Sequence, residues 1–399
     1  IVFDPKVDGL SHERARFLRH EWVLAVKGSV SHRLKGQENF TLPTGSIELK
    51  VHELKILNKT ETPPFQVDGP VDASESLRLK YRYLELRRPQ VLSAFRKRHL
   101  IASSIRGYLD RKGFVEVETP FLTKSTPEGA RDYLVPSRVN RGLFYALPQS
   151  PQLFKQLLMI AGFDRYYQIV RCFRDEDLRA DRQPEFTQVD LELSFIDEAE
   201  VMAITEEMMI ELFAKVLGHD ISTPIPRLEY HEAMNRYGTD KPDMRFDLEI
   251  RDLTEIADRS GFRVFRDVIH EGGVVKGFNV KEGAASFSRK KLDELSAFAV
   301  GSGAKGLAWI KIVDNGWQSS LNKFFGEEDK RAVNEMLDVS SGDLILIVAQ
   351  TLKIANQALG ALRLEVARRL DIISDGSYAF VWITRFPLLE YNESDGRLE

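Results

Sequence analysis

The stretch CFRDEDLRADRQPEFTQVD, residues 172 to 190, sets three arginines, four aspartates and two glutamates around two phenylalanines. Charge clusters with Pro and Asp usually mark solvated connections. Here, however, the flanks are RYYQIV and FTQVDLELSF, rich in aromatic and β-branched residues with partial period-two alternation. They predict two strands of a hairpin joined by a long polar loop. Loops mounted on a rigid sheet concentrate binding groups, and the strand ends themselves carry Arg174, Glu176 and Asp190. An arginine fixed at a strand end can fork onto oxyanion oxygens. A second pair lies upstream in QSPQLFKQLLMIAG, where Gln152 and Lys155 stand three apart and so project from one helical face.

Several elements must hold these groups in place. Ser150 is placed as the N-cap of the QLFKQLLMIAG helix, with Pro151 at the first helical position and Gly162 at the stop. VLSAFRKRHLIASSIRGYLDRKG puts Leu92, Phe95, Ile101, Ile105 and Leu109 near one helical face and ends at Gly113. FVEVETPFLT then reads as a strand broken by Pro120. WVLAVKGSV and GSIELKVHELKIL near the N-terminus read as alternating strands of a small β module. NKTETPPFQVDGPVDASES is the best linker candidate. From Phe246 onward, RDLTEIADRSG, FRVF, KKLDELSAFAV, GLAWIKIV and GDLILIVA alternate short helices and strands, the texture of a separate α+β module. AFVWITRFPLLEY reads as a buried-type strand.

Composition excludes little and suggests no partner. At 399 residues the chain can bury more than one core, and a formal net charge of -4 gives no bulk support to nucleic-acid binding. The single cysteine, Cys172, cannot close an internal disulfide and reads as a small buried hydrophobe. No apolar run approaches a membrane span, so a reducing, cytoplasmic setting is expected. GSGAKG at residues 301 to 306 matches a dinucleotide fingerprint by letters, but it follows a helix and precedes a strand, the reverse of the order that fingerprint needs. HEAMN at His231 approaches a zinc motif, yet Asn235 stands where the second histidine belongs, and a surface helix is expected.

Phe173-Arg174-Asp175-Glu176, followed by a loop and by Arg182, Phe186 and Asp190 spaced four and four, resembles motif 2 of the class II aminoacyl-tRNA synthetases. GFVEVETPFL, with Pro120, resembles motif 1, the dimer-forming element of that class. TPEGARDYLVPS and LPQSPQLFKQLLM narrow the resemblance to aspartyl-tRNA synthetases of bacterial type, and the segment from 246 to 373 is similar to their insertion domain. The ordered set of stretches covers essentially the whole chain. It implies an α+β fold with a class II antiparallel-sheet catalytic core. The division implied is a partial OB-fold anticodon-binding domain (1–58), a linker (59–84), a core with motifs 1 and 2 (85–245), the GAD-like insertion (246–373) and a return to the core (374–399).

The function implied is ATP-dependent activation of L-aspartate and transfer to tRNA. The carboxylate nucleophile is already ionised, so positioning and charge stabilisation would do the catalysis. On this resemblance Arg174 and Glu176 are the catalytic pair. Arg174, Asp175, Glu176, Gln183 and Phe186 would hold ATP, with Phe186 stacking on adenine unless it is a core strand residue. Glu128, Ser150, Gln152, Lys155, Arg174 and Asp190 would hold aspartate, Lys155 pairing its side-chain carboxylate. The partners implied are tRNA(Asp), with tRNA(Asn) left open, and a second copy of the chain through motif 1. Mg²⁺ is implied with ATP, but its acidic ligands, like motif 3, belong in the family beyond LLEYNESDGRLE. The chain is therefore expected to be an internal part of a longer enzyme, inactive alone and with no metal site of its own. The alternative is a non-catalytic truncated paralogue that binds RNA or a partner subunit.

Overall fold

The computed structural model describes residues 1–399 apart from 70, 71, 127, 178, 180, 181, 315, 393, 394 and 399. The chain divides into two units, Ile1–Leu217 and Gly218–Glu399. Residue 127 of the TPEGARDYLVPS stretch, three residues of the charged loop and two of the expected linker thus lie outside the described residues.

In the first unit a short helix α1 (Gly9–Ala15) precedes a long antiparallel pair, β1 (Val23–His32) and β2 (Ile47–Asn58). The ladder shifts register between Lys27 and Gly28, where a Cβ on Gly28 would sit 2.1 Å from the Lys50 carbonyl oxygen. Only glycine permits that approach. Residues 59–73 form no helix or strand among those described, and two short helices follow, α2 (Glu75–Lys80) and α3 (Arg82–Glu85).

Helix α4 (Pro89–Arg111) starts with its proline in the first turn and ends before Gly113, whose φ of +79° suits the stop. Its last two turns bury Ile105, Tyr108 and Leu109, whereas Leu92 and Phe95 are exposed. The apolar stripe read from the sequence is therefore buried only in its C-terminal half. The strand expected after it shrinks to β3 (Val115–Glu116), because Pro120 has no N–H to continue a ladder. Beyond β3 one more backbone bond follows, from the Val117 amide to the Tyr167 carbonyl at 3.2 Å, and then a side chain: Thr119 Oγ1 donates to Gln168 Oε1 at 2.9 Å.

A small hairpin, β4 (Leu134–Pro136) and β5 (Phe144–Ala146), and helix α5 (Gln152–Ile160) lead into the predicted hairpin of β6 (Arg165–Phe173) and β7 (Glu185–Leu193). β6 is the middle strand of β3-β6-β7, parallel to β3 and antiparallel to β7. Tyr167, Ile169, Val189, Leu191 and Leu193 pack one face of this sheet onto α4 and onto α6 (Glu198–Leu217). The Tyr108 hydroxyl locks the two helices by donating to the Ile204 carbonyl at 2.9 Å.

The second unit begins with β8 (Arg227–Glu229) and α7 (Tyr230–Tyr237). Five elements follow: β9 (Arg251–Asp252), α8 (Thr254–Arg259), α9 (Arg263–His270), β10 (Val274–Val280) and α10 (Gly283–Ser286). Next come α11 (Arg289–Gly301), β11 (Ala308–Val313), β12 (Gly316–Gln318), α12 (Glu327–Met336), β13 (Leu344–Gln350) and α13 (Leu352–Leu370). Among the described residues the sheet order is β12-β11-β13-β10-β9, antiparallel throughout. Alternate residues of β10 and β13 point to opposite cores. Phe278, Val280, Leu344 and Leu346 face α11 and α13, while Val275, Ile345 and Ile347 face α8, α9 and α12. Burial on both faces explains the unbroken apolar run of LILIVAQ.

Three sequence expectations fail here. FRVF opens helix α9 instead of forming a strand, because Phe265 and Val268 supply a buried helical face. HEAMN is helical, but the helix buries Ala233 and Tyr237, so it is not simply a surface helix. AFVWITRFPLLEY forms no single buried strand: it holds the three-residue β14 (Trp382–Thr384), half-buried and parallel to β8, leaves Phe386 and Leu388 exposed, and ends on Tyr391, which opens a separate two-residue strand. GSGAKG does lie between α11 and β11.

Gly238 ends α7 at φ +75°, with a built Cβ 2.1 Å from the Asn356 carbonyl oxygen of α13. Gly238→Ala should destabilise the protein by at least about 2 kcal/mol in urea titration. Gly306→Ala, facing open space, should change stability by less than about 0.5 kcal/mol.

Candidate active site

The β6–β7 register pairs Cys172 with Phe186, Val170 with Gln188 and Gln168 with Asp190. Strand side chains alternate, so these residues share the face opposite the α4/α6 core. The hairpin continues past the ladder: the Arg174 amide donates to the Pro184 carbonyl at 2.9 Å, and the Asp175 amide to the Arg131 carbonyl at 2.9 Å. Cys172 is fully buried on this face, and burial pushes its thiol up to about 11, so it serves as packing and not as a nucleophile.

At the hairpin end Arg174, Glu176, Asp177, Arg182, Gln183 and Phe186 line a cavity of about 320 Å³. The Arg174 guanidinium lies 5.1 Å from the Phe186 ring centroid, a cation–π contact. Arg182 pairs with Glu176 at 3.4 Å. Four of the five residues expected to hold a nucleotide therefore converge. The fifth, Asp175, is exposed and does not line the cavity among the described residues; its backbone does the work of tying the loop to residue 131.

Further along the same face, α5 lies over β6 and β7 and delivers Lys155. Its Nζ donates to Asp190 Oδ1 at 3.0 Å, pairs with Glu192 Oε2 at 3.2 Å and reaches the Leu191 carbonyl at only 3.5 Å. Burial works against the ammonium, but hydrogen bonds to Asp190 and Glu192 hold its pKa above the ordinary value of 10.5. Burial raises the pKa of Asp190 despite the pull of Lys155. Asp190 Oδ1 also accepts from Gln188 Nε2 at 3.3 Å, while its buried Oδ2 has no partner among the described residues.

Ser150 does not cap α5. Pro151 holds the cap position without a side-chain bond, and Ser150 Oγ donates to Glu128 Oε2 at 2.8 Å, with Thr126 Oγ1 donating to the other oxygen at 3.1 Å. A charged acceptor out-competes a neutral backbone amide for the hydroxyl. Gln152 is half-buried one turn before Lys155, as the spacing implies.

Three residues escaped the sequence reading. Gln149, buried, accepts from the Ala130 amide and donates to the Ala130 carbonyl at 2.8 Å and to Asp132 at 2.5 Å, clamping the segment that carries Glu128. Gln188 and Glu192 flank Asp190 on its own face, and the two-residue period of β7 was the signal that could have found them.

A family model described as tRNA synthetases class II (D, K and N) matches residues 74–395. The chain belongs to this family. It is 56% identical over its whole length to an aspartate–tRNA(Asp/Asn) ligase of Desulfatibacillum aliphaticivorans and 54% identical to one of Desulfotalea psychrophila, spanning 66% of the length of each. Among solved structures it resembles the asparaginyl-tRNA synthetase of Pyrococcus horikoshii complexed with asparaginyl-adenylate. There the TM-score is 0.51 at 18% identity, over 94% of this chain and 88% of that one. That likeness establishes the α+β class II fold.

Lys155→Met would leave the buried Asp190 carboxylate, and the part-exposed Glu192 beside it, without their cation and should cost about 3–5 kcal/mol at neutral pH. Because the folded pKa of Lys155 is raised, its stabilisation is complete below the unfolded value and lost as pH rises through the folded one. The wild-type-minus-variant difference in urea midpoint should thus be flat from about pH 7 to 9 and shrink above about pH 10.5.

Proposed function

We propose that the protein carrying this chain is an aspartate–tRNA ligase, which forms aspartyl-adenylate from L-aspartate and ATP and transfers the aspartyl group to tRNA. The observation that carries this reading is the bonding of Lys155. An ammonium has three protons. Two go to Asp190 and Glu192, and the third makes only the 3.5 Å approach to Leu191, leaving a buried donor for the side-chain carboxylate of a substrate. The unpartnered Oδ2 of Asp190 supplies the complementary acceptor for an α-ammonium. Ser150, Glu128 and Gln152 complete the aspartate pocket in this reading.

Arg174 now covers one face of Phe186. In the proposed reaction ATP draws the guanidinium onto the α-phosphate and the attacking carboxylate, freeing the ring to stack on adenine, while Glu176 and Gln183 contact the nucleotide. Mg²⁺ would arrive with the triphosphate and offset its charge. Among the described residues no three His, Cys, Asp or Glu side chains converge on a metal-sized site, so no step here is assigned to it.

In the same proposal residues 1–58 belong to an anticodon-binding barrel, 59–84 to a linker, 85–245 and 374–399 to the catalytic core, and 246–373 to an insertion domain. The names of the relatives at 56% and 54% identity favour acceptance of tRNA(Asn) besides tRNA(Asp). Among the described residues no helix is long and apolar enough to cross a membrane, and a cytoplasmic location fits the proposed substrates.

The test is ATP–pyrophosphate exchange by the protein carrying this chain. Exchange should depend on L-aspartate and not on asparagine or lysine, and Arg174→Ala should lower its kcat/KM on the order of 10²–10³-fold. Exchange driven by asparagine or lysine would overturn the assignment; tRNA binding without any exchange would point to the non-catalytic paralogue. The exposed Leu92 and Phe95 on α4, the helix that leads into motif 1, favour a homodimer through that part of the chain. Sedimentation should show a dimer that Phe95→Asp converts to monomer.

A further inference from the structure

The second unit holds a larger cavity, about 490 Å³, that the proposed reaction does not use. It opens at the end of β10 and beside β9, with a floor of Phe246, Leu248, Leu337 and Leu370. Its walls carry three cations, Arg245, Arg251 and Lys281, against three carboxylates, Asp247, Glu249 and Asp338. Such balance suits neither a polyanion nor a cation. It suits a ligand that carries both charges on an apolar body.

Two further observations point to a ligand here. Asn279, nine-tenths buried in the wall, gives its amide N–H groups to the Leu337 and Asp338 carbonyls and to Asp343 Oδ2, which fixes the amide's orientation. Its Oδ1 then has no partner among the described residues. Such an orphaned acceptor is rare in a native interior and calls for a donor. Backbone strain also gathers at this cavity. Of seven non-glycine residues with positive φ among those described, Leu248 at +91° and Asp338 at +47° line it, and Glu282 and Asp371 flank lining residues. Leucine has no side-chain hydrogen bond to compensate for that conformation. It is held there by Arg363, whose Nε donates to the Leu248 carbonyl at 2.6 Å.

We propose that this cavity binds an L-α-amino acid with an apolar side chain, separately from the aspartate pocket. The α-ammonium donates to Asn279 Oδ1. The α-carboxylate takes Lys281 and Arg251, both about half exposed; Arg251 pairs with Glu249 at 2.8 Å, and Lys281 with Asp338 at 2.9 Å and, more loosely, with the buried Asp343 at 3.5 Å. Exposed pairs are weak and can be re-partnered. The side chain lies on Phe246, Leu248 and Leu337. The volume falls in the range of small-molecule sites.

The test is calorimetric titration of the full chain with L-leucine, with 4-methylpentanoate, which lacks the ammonium, and with L-leucinamide, which lacks the carboxylate. Leucine should bind saturably in the range of about 0.1–10 mM, and each half-ligand at least about tenfold more weakly. Met336→Trp, which fills the cavity from its rim, should abolish leucine binding while the thermal transition is retained. Lys281→Met should weaken leucine but leave leucinamide unchanged. Arg174→Ala should alter neither, which separates this site from the aspartate pocket. The proposal is overturned if leucine, methionine and phenylalanine show no saturable binding, if the half-ligands bind as well as leucine, or if Met336→Trp still binds. Loss of leucine binding in Arg174→Ala would place the ligand in the other pocket and overturn it equally.

Discussion

The two-residue period of the β6–β7 hairpin is the constraint on which the first unit's chemistry depends. Odd-numbered residues such as Tyr167, Val189 and Leu191 are committed to the α4/α6 core, and that commitment fixes the even-numbered face on which Phe186, Gln188, Asp190 and Glu192 stand. A one-residue slip would bury the carboxylates against the helices and expose the core, so the hydrophobic packing and the polar register enforce each other. Tyr108 and Leu109, almost wholly buried beneath the sheet, each contribute roughly 1.5–3 kcal/mol to holding that register. The rigidity of the site is thus supplied from its back.

The polar face is held by charge. Helix α5 is only nine residues long, too short to be stable alone, and it exposes Leu153, Leu157 and Ile160. Its main tether to the sheet is Lys155. A buried ammonium facing two carboxylates is weak evidence for stability, since replacing the whole cluster by apolar residues would pack as well, whereas removing the ammonium alone strands its partners. Under the proposed function the spare donor and spare acceptor of this cluster take a zwitterion, with stability given up for recognition.

What the sequence revealed and what it concealed follow the range of the interactions. The hairpin, the helix around Lys155 and the burial of Cys172 rest on periodicity within one segment, which is visible in the letters. Ser150 was misjudged because a local capping rule competes with Glu128, 22 residues away, and nothing near Ser150 announces that partner. Gln149 was missed for the same reason, its partners lying 17 and 19 residues upstream. The stripe on α4 was visible, but a stripe does not say what covers it, and its N-terminal half is exposed. FRVF failed differently: four residues carry too little period to separate a strand from the first turn of an amphipathic helix.

A comparison among buried cations sets Lys155 apart by its bonding. Lys276, in the second unit, donates to the Asn235 carbonyl at 3.0 Å, to Asn235 Oδ1 at 3.2 Å and to Asn356 Oδ1 at 2.8 Å, so all three protons are spent on neutral acceptors. Burial accordingly lowers its pKa. Arg363 is spent likewise, on the Leu248 and Asp243 carbonyls and between the rings of Tyr237 and Phe246. Both are struts: Lys276 gives all three protons to neutral acceptors, Arg363 bonds two carbonyls and lies between two rings, and among the described residues no carboxylate bonds either directly. Lys155 has the opposite bookkeeping, with carboxylates on two donors and a long, weak contact on the third. Its charge is stabilised beyond what burial alone would allow, while its bonding is left incomplete. That pairing of a secured charge with an unfilled donor separates Lys155 from the structural cations, and it is the physical reason the proposed function places a substrate carboxylate there.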